Sequence, residues 1–106
     1  MSNSPSFQEL ENARLAQVRW YLLRTLNRYP GRPRAESTLA FDLIEAQLSC
    51  TESELRGELD YLEGLEYVEY EADGLDRRTY KITVPGRDYA SYVSKEIPGI
   101  PRPPVL

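Results

Sequence analysis

The sequence predicts an α+β fold in a single domain: three helices, a β-hairpin, a short fourth helix and an extended proline-rich tail. Three observations predict it. Leucines recur at helical spacing in three blocks up to Leu65, the period switches to two at Tyr67, and an Asp73-Gly74 turn separates two alternating runs. At 106 residues and 41% hydrophobic the chain suits one core and no second domain. A chain of this size buries roughly 60–70% of its unfolded surface and needs neither metal nor disulfide to fold. The expected organisation is an N-terminal arm over residues 1–6, a domain over residues 7–94 and an extended tail over residues 95–106.

The first helix opens at Ser6-Phe7-Gln8-Glu9, which has the form of a capping box. Leu10, Leu15, Val18, Leu22 and Leu26 then form a stripe, widened by Trp20, Tyr21 and Leu23, that carries the helix to about Arg28. Pro30 and Pro33 flank Gly31-Arg32 and make a stiff loop, because proline lacks an amide proton and biases its predecessor away from the helical region. The second helix fits Glu36 to Gln47, with Leu39, Leu43, Ile44 and Leu48 on one side. Thr51-Glu52-Ser53-Glu54 is a further capping box, and Leu55, Leu59, Leu62 and Leu65 set the third helix, ending near Leu65 or Glu66. Tyr67 to Glu71 and Arg78 to Thr83 alternate about the Asp-Gly turn and predict a hairpin. A short helix follows Pro85-Gly86 through Tyr89, Ala90 and Val93, and four prolines in the last ten residues predict an extended arm.

The residue inventory excludes several chemistries. Cys50 is the only cysteine and histidine is absent, so an internal disulfide, the common zinc sites and the Ser-His-Asp and Cys-His pairs are all ruled out. No enzyme, metal or cofactor is expected. No stretch is apolar enough to span a bilayer and MSNSPSF lacks the features of a signal peptide, so a soluble, cytoplasmic protein is expected. The net charge of −4 hides a division: residues 1–40 carry +3, residues 41–76 carry −11 and residues 77–106 carry +4.

Three helices followed by a hairpin make a winged helix-turn-helix, and Val18 to Thr83 fits that template. The chain also resembles a narrower group, the small winged-helix proteins of Mu-like phages and prophages. The matching residues are Glu36-Ser37-Thr38-Leu39, Thr51 to Leu59 with Arg56, Tyr61-Leu62-Glu63, Ile82-Thr83-x-x-Gly86 and Ile97-Pro98-Gly99-Ile100-x-Arg102-Pro103. It departs from the pattern at Glu66, where a glycine usually ends the third helix, and at Glu52, where a basic residue is common. The resemblance implies a DNA-binding protein, a small transcriptional regulator or accessory factor, encoded among late genes near lysis and DNA-packaging functions.

Two surfaces compete for function. A winged helix on DNA places its third helix in the major groove, so Ser53 and Arg56 are candidate DNA contacts, with Arg28, Arg32, Arg34, Arg77, Arg78 and Lys81 as phosphate contacts. Yet the outward face of that helix is acidic, and duplex DNA carries a phosphate charge about every 1.7 Å. The alternative is a protein-interaction module in which Glu52, Asp60 and Glu63 recognise a basic phage or host protein in packaging or assembly. The same basic residues can instead pair with the central acids. Trp20, Tyr21 and Leu23 exceed what one small core needs and are candidates for a homodimer seam. Gly57 within the third helix marks either a close backbone approach or simple tolerance, and Cys50 is either a stabilised thiolate or a small buried side chain.

Overall fold

The computed structural model describes residues 4–105 and has the expected α+β class, with four helices and a three-stranded antiparallel sheet. Helix α1 spans Phe7–Asn27, strand β1 Arg34–Ala35, helix α2 Glu36–Glu45 and helix α3 Glu52–Gly64. Strands β2 (Val68–Ala72) and β3 (Arg78–Ile82) form the hairpin, and helix α4 covers Val84–Ala90. Residues 1–3 of the expected arm and Leu106 of the tail lie outside the described residues. No helix among the described residues is long and apolar enough to cross a membrane.

The helix starts follow their sequence signals unequally. Thr51 and Glu54 make the full reciprocal box, with the Thr51 hydroxyl accepting from the Glu54 amide and the Glu54 carboxylate accepting from the Thr51 amide, both at 3.0 Å. At α1 only the first half forms, the Ser6 hydroxyl accepting from the Glu9 amide at 3.1 Å. The ends share one device. After α2, α3 and α4 the chain closes with the paired 5→2 and 6→1 backbone bonds of a Schellman turn, for instance Glu66 N–H to the Glu63 carbonyl and Tyr67 N–H to the Leu62 carbonyl. The residues that must adopt left-handed backbone there are Gln47, Glu66 and Tyr92, none of them glycine.

The sheet order is β1-β3-β2, so β1 is an edge strand that the sequence did not signal. Two residues are too short to show a period. Pro33 favours extended backbone beside it, and Arg34 and Ala35 then pair with Tyr80 and Thr79. The hairpin turn differs from a two-residue Asp-Gly turn. The Asp73 carboxylate accepts from the Leu75 and Arg77 amides, and Asp76 takes the left-handed conformation, so three residues span the turn.

The core draws on Val18, Leu22, Leu23 and Leu26 of α1, Leu39 and Leu43 of α2, Leu55, Leu59 and Leu62 of α3, and Val68, Tyr80 and Ile82 of the sheet. Two expected members are surface residues: Leu10 is 55% and Ile44 61% exposed. Leu10 lies on the first turns of α1, of which every residue from Phe7 to Leu10 is exposed, and Ile44 falls on the far side of α2 from Leu39 and Leu43. Helix α4 packs beside α1, with Gly86 pressed against the Tyr67 carbonyl and 2.8 Å from the Ile82 side chain at the point where a Cβ would stand. The Thr83 hydroxyl caps this helix by accepting from the Gly86 amide at 3.2 Å and donates to the Glu66 carbonyl at 2.6 Å. The Ile82-Thr83-x-x-Gly86 motif is therefore a joint between hairpin and α4.

The proline-rich tail is not a free arm. Ile100 is fully buried in the core, and the Tyr89 hydroxyl donates to its carbonyl while accepting from the Ile97 amide. Prolines remove regular structure from this segment without preventing it from docking. Arg102 lies over the rings of Tyr89 and Tyr92, 4.6 and 5.0 Å from their centroids, and donates to the carbonyls of Tyr89 and Ser94.

Candidate protein and nucleic-acid interfaces

Five of the residues expected to touch DNA are occupied within the chain. Arg56 of α3 donates to Glu36 at 2.7 and 2.8 Å and to the Asp76 carboxylate at 2.9 Å, joining α3 to α2 and to the hairpin tip. Arg78 stacks 4.2 Å over the Tyr70 ring and donates to Asp60 at 3.0 Å and to the Tyr80 hydroxyl at 3.3 Å. Arg77 donates to Asp73 at 2.6 Å, Lys81 lies 3.3 Å from Glu69 across the strands, and Arg34 donates to Asp42 at 2.9 Å. These bases hold the hairpin, β1 and the helix pair together. Ser53 is exposed on α3, whereas Arg28 and Arg32 are exposed and have no carboxylate partner among the described residues.

The pairing lowers the proton affinity of the acids involved. The Arg56 guanidinium holds Asp76 below the ordinary carboxylate range, and backbone amides of Arg77 and Leu75 do the same for Asp73. Glu54 is depressed by the Thr51 amide and then by Arg14. Cys50 moves the other way. Burial, with Glu54 nearby, pushes its thiol up, so the stabilised-thiolate option has no support at this helix start.

Of the acidic candidates, Glu52 and Glu63 are exposed with no cation partner among the described residues, and Asp60 is exposed but held by Arg78. Glu66 and Glu71 extend the unpaired acidic surface past α3 and onto β2. Gly57 faces open space: beyond its own helix backbone, nothing among the described residues comes within 4 Å of where its Cβ would be.

The aromatic width of α1 has an internal explanation. Leu23 is fully buried within the chain and cannot meet a second copy. Trp20 is half-buried and meets Tyr89 and Tyr92 edge-on, at centroid distances of 6.4 and 5.7 Å. Tyr21 is half-buried and donates to the Asp42 carbonyl at 3.2 Å. Helix α4 with the turn after it, and helix α2, use the surface that looked surplus.

Sequence reasoning missed one node. Arg19 grips Glu58 through three contacts of 3.0–3.2 Å, donates to the Gly99 carbonyl at 2.9 Å and lies 4.2 Å over the Tyr61 ring. Glu58, on the acidic third helix, is only 6% exposed. Its spacing carried the signal, since Glu58 sits one helical turn from Leu55 and Leu62 on their own stripe. The chain matches no protein-family model, and neither a curated protein nor a solved structure matches it.

Proposed function

We propose that the chain is a winged-helix domain acting as a protein-interaction module, in which α3 and the β2–β3 hairpin receive a basic protein surface. One observation carries this reading. Every cation on α3 and the hairpin already holds a carboxylate of the same chain, while Glu52, Glu63, Glu66 and Glu71 remain exposed and unpaired there among the described residues. A major groove brought to this surface would meet carboxylates with no free arginine between them, and placing them near phosphates is repulsive. A basic partner meets the opposite field and is drawn in from a distance. The element order α1-β1-α2-α3-β2-β3 supports the winged-helix assignment, and the resemblance to Mu-like phage proteins supports a setting in packaging or assembly.

An arginine- and lysine-rich peptide titrated against the full chain tests the reading. Replacing Glu52, Glu63, Glu66 and Glu71 by Gln should weaken binding by roughly tenfold, mostly through a slower association rate, and flatten its salt dependence. Binding that is unaltered in this variant would remove the acidic surface from the model.

A further inference from the structure

The cations of this chain segregate by whether they have a partner. Those of α3 and the hairpin are neutralised, but Arg24, Arg28, Arg32 and Arg87, with Lys95 apart from them in the tail, are exposed with no carboxylate partner among the described residues. Arg28 and Arg32 stood out in the sequence. Arg24 and Arg87 did not.

The fold brings the four to one end of the molecule. Arg24 and Arg28 lie one turn apart on the outer face of α1, a rise of about 6 Å. Beyond α1 the chain keeps turning, with Arg28 N–H bonded to the Thr25 carbonyl, Tyr29 N–H to Leu26 and Arg32 N–H to Tyr29, so Arg32 stays close to the end of α1. Gly31 beside it, at φ 81°, lines a shallow depression together with Lys81, Thr83, Val84 and Arg87. Asn27 donates to Ser91 at 3.3 Å and fixes the end of α4 against the end of α1. The one carboxylate lining the depression, Glu69, is held by Lys81.

We infer that Arg24, Arg28, Arg32 and Arg87 form a second contact surface, which follows the phosphate backbone of duplex nucleic acid. All four are arginines, whose planar fork of donors matches phosphate oxygens two at a time and stays charged at any working pH. Contacts to phosphates suit a polar, cationic surface. The acidic α3 and hairpin reinforce the orientation, since they repel the duplex and leave this end as the approach. The inference is independent of the proposed protein docking and uses different residues, so the domain can hold a basic protein and a duplex together.

The test is a titration of the full chain with a nonspecific duplex of about two helical turns across salt concentration. Arg28→Gln, Arg32→Gln and Arg87→Gln combined should flatten the slope of log affinity against log salt by about 2.7 units, about 0.9 for each lost phosphate contact. Arg77→Gln should leave the slope unchanged. The three arginines lie outside the core, and an unchanged melting curve separates lost contact from lost fold. A wild-type chain that fails to bind duplex at low salt overturns the inference, as does loss of binding in Arg77→Gln with retention in the triple variant. Polyglutamate binding as tightly as the duplex would show a surface for acidic protein instead and would also overturn it. Loss of peptide binding in the glutamate variant, with duplex binding intact, would confirm that the two surfaces act separately.

Discussion

Arg19 and Glu58 form a closed ion pair between α1 and α3, with both carboxylate oxygens engaged and the arginine's remaining reach given to the Gly99 carbonyl. Two charges withdrawn from water hold a fold together only when both are present. Arg19→Ala leaves Glu58 buried without its cation, and a loss of about 3–5 kcal/mol in urea unfolding is expected. Arg19→Met with Glu58→Leu should recover most of it, because an apolar pair of similar volume carries no desolvation cost. A double variant as unstable as Arg19→Ala would contradict this.

The helix ends offer a contrasting pair of substitutions. Glu66 is exposed and adopts φ 64°, a conformation that penalises any side chain, so Glu66→Gly should raise stability by about 0.5–1 kcal/mol. Tyr92 adopts φ 63° as well. Its ring packs against Trp20 and Arg102 and its hydroxyl donates to the Pro103 carbonyl at 2.7 Å, so Tyr92→Gly should destabilise the chain despite relieving the same backbone. Thermal unfolding of the two variants, shifted in opposite directions, is the check.

Stability should also depend on pH at both extremes. Asp76, Asp73 and Glu54 have depressed proton affinities in the fold, so their contribution is present above the ordinary carboxylate range and is lost as pH falls below about 4 through their folded values. Tyr67, Tyr80 and Tyr89 are pushed up by burial, so theirs is present below and lost as pH rises past about 10. Denaturation midpoints followed across pH should form a plateau between the two limits. The acid limb should be shallower in Asp76→Asn.

Ile100 provides the measure of what the tail contributes. Ile100→Ala should cost about 2–5 kcal/mol, the range for deleting a buried aliphatic side chain. Tyr89→Phe should cost about 1–3 kcal/mol, because the Ile100 carbonyl and the Ile97 amide both lose their partner. A tail that were merely an arm would show neither effect in chemical denaturation.

What the sequence revealed and what it concealed follow from the range of the interactions. The four helices and the hairpin rest on local periodicity and capping, and Leu39, Leu43, Leu55, Leu59 and Leu62 sit in the core as their spacing requires. Strand β1 exists only because β3 lies beside it, and no local pattern announces a contact between Arg34 and Tyr80. The partners of Arg56 and Arg78 are equally non-local, each lying some twenty residues away in sequence, which is why a charge count could suggest free cations where the fold has paired them. Conversely, Arg24 and Arg87 looked ordinary in the sequence, because their lack of a carboxylate partner among the described residues is visible only in the fold.

The docked tail has a kinetic consequence. Its bond from Arg19 to Gly99 closes a loop of 80 residues, whereas the helices and hairpin assemble from neighbours in sequence. Contacts with so large a closure entropy form late, after the helices have given Ile100 a surface to meet. Substitutions at Ile100 would therefore act on the unfolding rate and leave refolding nearly unchanged. The strap then works as a latch: it sets how long the native state lasts more than how quickly it is reached.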